Sequence, residues 1–188
     1  MNSLALFGAS TFASFVSSVV AARLFVWPWV RRNEPDRALA SLVAPHMFLR
    51  FIGLSLLVPG VVSPLLPAGF AVPTAFGDLI AGLLAIVATI ALANRASWAN
   101  KSVWLFNIWG AADFLFAFYQ GPHVGLQPGM LGAAFFIVTA VVPPLLVTHA
   151  LIFRVLVRPS EHSQRTASEN RRSQNRVFGA TLPSASRD

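Results

Sequence analysis

The chain has 188 residues, 55% of them hydrophobic and 11% charged, where an ordinary soluble domain carries about 25% charged residues. With a mean hydropathy of +0.64, this composition excludes a soluble globular domain, a disordered chain and a nucleic-acid-binding module. It predicts a small all-α integral membrane protein. The net charge of +7 comes from 14 basic and 7 acidic residues, and the basic ones fall in short loops and a tail, the positive-inside pattern.

The first apolar stretch covers 4–30 and has no Lys or Arg before it, so it reads as a retained helix rather than a cleaved signal. The second covers 39–66 and holds Arg50; the third covers 74–93 and holds Asp78 near its start. The fourth, 103–119, holds Asn107 and Asp113, and the fifth, 130–157, holds His149. Each is long enough to approach the ~20 residues that cross a bilayer core. Backbone groups in lipid must bond within their own segment, so all five are expected to be helices.

The loops carry the orientation. Arg31, Arg32 and Arg37 follow the first stretch, Arg95 and Lys101 follow the third, and Arg154 and Arg158 end the fifth. The loops at 67–73 and 120–129 contain no Lys or Arg. Every basic residue except Arg50 therefore falls on one side, which is expected to face the cytoplasm, with the N-terminus outside and the C-terminus inside. The domain reading is 1–158 as a five-helix transmembrane domain and 159–188 as a disordered basic tail, suited to anionic lipid head groups. The expected location is a bacterial inner membrane.

Ionisable residues at membrane depth are costly and need partners. At ~1.5 Å rise per residue, His46, Asn107 and His149 share a depth of about 6 Å, Arg50 lies at about 12 Å and Asp113 at about 15 Å. His46, Arg50 and Gly53 share one helix face, as do Asn107, Gly110 and Asp113, and Asp78, Gly82 and Ala85. Small residues on those stripes mark interior faces. The expectation is two polar layers: His46, Asn107 and His149 toward the basic side, and an Arg50–Asp113 pair near the midplane, with the second and fourth helices adjacent. Asp78 is expected to stand apart, partly wet, near the outer surface. Pro59, Gly60, Pro64 and Pro67 are expected to kink or unwind the end of the second span, and Pro143–Pro144 to bend the fifth.

Several chemistries fit these residues. The Arg50–Asp113 pair is either a clamp fixing helix register or a working site for a proton, ion or polar head group. His46 and His149, on different helices at matched depth, raise the alternative of bis-histidine haem ligation. No cysteine, phosphate loop, nucleophile elbow or HExxH is present, so no catalytic residue is assigned.

The run His46-Met-Phe-Leu-Arg50-Phe-Ile-Gly53, then Phe76-Gly77-Asp78, Asn107-Ile-Trp-Gly110-Ala-Ala-Asp113, Val142-Pro143-Pro144-Leu145 and Thr148-His149 resembles an uncharacterised family of small multi-span bacterial membrane proteins. The resemblance covers about residues 40–157 and implies no substrate or cofactor. The sequence as a whole predicts non-enzymatic binding or transport of a small molecule, lipid or proton, with a haem-bearing redox protein and a structural scaffold or complex subunit as rivals.

Overall fold

The computed structural model describes residues 2–158, so the expected tail at 159–188 lies outside the described residues. Among those residues all regular structure is helical, and five helices are long and apolar enough to cross a membrane. They are α1 (Ser3–Arg32), α2 (Pro35–Leu57), α3 (Ala68–Ala93), α4 (Ala99–His123) and α5 (Ile137–Leu156). At 1.5 Å per residue each reaches about 30 Å or more.

The bundle has a basic end and an uncharged end. At the basic end, Arg154 of α5 lies over the Trp27 ring of α1, 3.9 Å from its centroid. At the other end the α2–α3 and α4–α5 connections are joined by two backbone hydrogen bonds, Ser63 N–H to Met130 O at 3.0 Å and Ala133 N–H to Val61 O at 2.9 Å. Gly132 makes this join possible. Its φ is +52°, and a Cβ there would run into the Val61 carbonyl.

Each helix begins or bends for a local reason. Asn2 caps α1, accepting from Leu4 N–H at 3.1 Å. Pro35 opens α2 at a first-turn position, where a missing N–H costs nothing. Beyond Leu49, α2 tightens into a 3-10 stretch, Arg50–Leu57. Three residues per turn then align Arg50, Gly53 and Leu56, which are the buried residues of the stretch. The chain leaves helical geometry after Leu57, as the prolines and glycine beyond it predict. In α5 the proline pair is preceded by a wide π turn, Ile137–Val141, in which Val142 N–H reaches back to Ile137 O.

The helix starts correct one expectation. Helix α3 begins at Ala68, not 74, and carries Pro73 inside it. Asp78 therefore lies ten residues in, about 15 Å from the start, at mid-bundle rather than at a surface.

Helix α3 packs along both α2 and α4, and α5 closes against α1, α2 and α4. The close approach is made by small residues: Ala75, Ala81, Ala85 and Ala88 of α3 are fully buried. Helices α2 and α4, expected to be adjacent, touch directly through side chains: Arg50 reaches the Gly110 carbonyl and the Phe114 ring, and His46 packs on Phe106. The first α-helical segment of α1, Ser3–Ala21, buries no residue. Exposed apolar side chains such as Phe12, Phe25, Leu115 and Phe136 ring the bundle.

Candidate functional site

At mid-bundle Arg50 is 1% exposed, and both of its terminal nitrogens are bonded. Its Nη1 donates to Asp78 Oδ1 at 2.6 Å and to Asp113 Oδ2 at 2.8 Å. Its Nη2 donates to the Gly110 carbonyl at 2.6 Å and to His149 Nε2 at 2.8 Å. The guanidinium plane lies on Phe114, with Cζ 3.5 Å from the ring centroid, an arrangement that adds cation–π attraction. Four of the five donors of the fork are thus used, and Nε is left without a partner.

Because a guanidinium only donates, His149 Nε2 must accept. His149 then carries its proton on Nδ1 and donates it to Asn107 Oδ1 at 2.7 Å, while Asn107 Nδ2 donates to the His149 carbonyl at 3.2 Å. The same reasoning assigns His46. Thr148 Oγ1 gives its single proton to Leu145 O at 2.7 Å, so it accepts from His46 Nε2–H at 2.8 Å. His46 Nδ1 is then a buried lone pair without a partner.

Glycines make room for this cluster. A Cβ on Gly110 would sit 2.6 Å from His149 Cε1 and 2.8 Å from Arg50 Nη2. A Cβ on Gly53 would lie 2.7 Å from Asp78 Cβ, and one on Gly77 would lie 2.7 Å from Asp113 Cγ. Each carboxylate thus packs against a glycine on the neighbouring helix. No larger residue fits at these three positions without displacing the ion cluster.

Two cavities reach the carboxylates separately. A cavity of about 440 Å³ extends from the uncharged end. Its walls are mainly apolar and include Phe7, Phe70, Phe114, Phe118, Leu126 and Pro128, and it reaches Thr74 and Asp78. Thr74 is 8% exposed, and its hydroxyl has no hydrogen-bond partner. A second groove of about 340 Å³ runs between α3 and α4, past Phe76, Ile80 and Trp109, and reaches Asp113. Trp109 Nε1–H donates to the Gly77 carbonyl at 3.2 Å across the α3–α4 contact.

The Arg50–Asp113 contact is as expected from sequence. Asp78 departs from expectation: it is 6% exposed and is a full partner of Arg50. The two expected layers are one network, since Arg50 bonds His149 directly. The haem alternative does not fit this geometry. The His46 and His149 rings are 4.5 Å apart at their centroids, both nitrogens of His149 are engaged, and no space for a macrocycle separates them. Among the described residues no group of three or more His, Asp or Glu is arranged to hold a metal. Sequence reasoning missed Phe114 as the platform under Arg50, the Gly110 carbonyl and Thr74. The i, i+4 spacing of Thr74 and Asp78 places those two on one helix face.

No curated protein and no solved structure matches the chain. A family model, described as a domain of unknown function (DUF8737), matches residues 6–157. The matched region includes the first helix. The chain belongs to this DUF8737 family.

Proposed function

We propose that this protein is a non-enzymatic, multi-pass protein of a bacterial inner membrane that binds or transports a small lipophilic molecule. Its five helices cross the bilayer, with the basic end in the cytoplasm and the N-terminus outside. The ring of exposed apolar side chains supports insertion, because soluble monomers rarely expose large contiguous apolar patches. The one-sided arginines support the orientation.

The observation that carries the functional reading is the 440 Å³ cavity that ends on a buried, ion-paired carboxylate. Its volume lies within the ~300–1,000 Å³ typical of small-molecule sites. Apolar walls hold a ligand body, and a few convergent polar groups fix its orientation. A pure register clamp has no need of a cavity at the clamp.

The test is extraction of bound molecules from protein purified in native-membrane discs. Ala117 lines the cavity, so Ala117→Trp fills it without touching the ion cluster. The expected result is a stoichiometric small molecule with the wild type and none with Ala117→Trp. Equal extracts from both would overturn the reading. Reporter fusions at 31–37 and 120–129 test the orientation, and a cytoplasmic 120–129 loop would reverse it.

A further inference from the structure

The ligand's polar end is open to a chemical reading, which rests on the binding function proposed above. The cavity ends on Asp78, one of two carboxylates that share the single Arg50 guanidinium behind it. The cluster therefore has one negative charge in excess when both are ionised. The other polar side chains bonded into it, His149 and Asn107, are engaged with each other and bring no second permanent cation. Thr74 stands one helical turn from Asp78 and also lines the cavity. Its hydroxyl is buried and unpartnered, which is costly unless a ligand supplies the missing bond.

We propose that the cavity binds a lipophilic molecule ending in an ammonium group that bears N–H donors. Arg50 takes one oxygen of Asp78 in a single hydrogen bond, and a carboxylate accepts about four. An ammonium can therefore donate to Asp78 and to Thr74 Oγ1 together, across the i, i+4 spacing of one helix face. Four phenylalanines line the same cavity, and aromatic faces attract cations. A carboxylate or phosphate terminus would meet Asp78 with like charge. A quaternary ammonium would satisfy neither acceptor by hydrogen bonding. The apolar length of the cavity, between Asp78 and the α4–α5 connection, takes an alkyl or aryl body.

The same ammonium chemistry is carried by free lipophilic amines and by phosphatidylethanolamine head groups. The experiment measures equilibrium binding of dodecylamine, dodecanol and dodecanoate at neutral pH to the full chain in discs of phosphatidylcholine. Parallel discs contain phosphatidylethanolamine. Saturable binding of dodecylamine, at least tenfold tighter than the other two, is expected. Thr74→Val should weaken it about tenfold and Asp78→Asn by at least as much, while Ala117→Trp abolishes it. Competition by phosphatidylethanolamine would name a lipid head group as the source; no competition would name a free amine. Should dodecanol or dodecanoate bind as well as dodecylamine, yet remain sensitive to Ala117→Trp, the ammonium assignment fails and the cavity reading stands. Amine binding unchanged in both Thr74→Val and Asp78→Asn would also overturn the assignment. Indifference of all three probes to Ala117→Trp, or no binding above empty discs, would overturn both. Thr74→Val keeps the test valid if Asp78→Asn fails to fold, because Thr74 makes no bond to the cluster.

Discussion

The two ends of the bundle are built differently. At the basic end Val30, Ala38, Leu39, Val43, Val103, Phe106 and Ile152 form a close core, each at most 2% exposed, beside a π stretch of α1 at Ala22–Val26. At the uncharged end the backbone departs from α geometry in the 3-10 stretch of α2, the π turn of α5 and the joined loops, and a cavity opens among the side chains. The ion cluster lies between the two. Close packing at one end holds the helices in register, and the looser, cavity-bearing packing at the other holds them apart. A site can form where the second condition meets the first, because a cavity in fully regular, small-residue packing would collapse.

The largest expected effect comes from the cluster between the ends. Arg50→Met leaves two buried carboxylates without their cation and should cost about 3–5 kcal/mol, read by denaturant unfolding in detergent. A loss below about 1 kcal/mol would show that the pair is well solvated. Next, Ile152→Ala in the close core should cost about 2–5 kcal/mol, whereas Leu126→Ala, on a cavity already open, should cost clearly less. Equal losses would remove the distinction between the ends.

Gly110→Ala sharpens the comparison at a single methyl. Overpacking against His149 and Arg50 should cost about 1–3 kcal/mol. Gly8→Ala, in α1 with nothing within 4 Å, should instead raise stability by about 0.5–1 kcal/mol. The smallest effect is expected of Thr74→Val, which removes an unpartnered buried hydroxyl and should stabilise the ligand-free protein by up to about 1 kcal/mol. Destabilisation would show that the hydroxyl bonds within the protein.

The close core and the irregular end differed in how well they could be read from sequence. Five helices were legible because each segment is apolar and free of charge over most of its length. Arg50 and Asp113 were legible as partners because so few charges lie at depth. Asp78 was misplaced because Pro73 reads as a helix breaker. At the sixth position of α3 it costs a single bond near the helix start, so the helix runs through it and carries Asp78 to the level of Arg50. The single network was missed because depth arithmetic follows Cα heights, while the Arg50 fork spans two levels and joins Asp78 and Asp113 to His149. The cavity was not legible at all. It is lined by residues of α1, α3, α4, α5 and the α4–α5 connection, and no spacing within one segment shows how side chains from four helices meet.

The central claim is that the buried cluster is a working site and not a register clamp alone. The most direct measurement replaces Arg50, Asp78 and Asp113 together, as Arg50→Met, Asp78→Leu and Asp113→Leu, and reads both unfolding and bound ligand in native-membrane discs. Apolar replacement of a whole buried ion cluster commonly restores stability, so a folded bundle is expected. The account predicts that this folded protein carries no stoichiometric ligand. A folded triple variant that retains its ligand in full would contradict it.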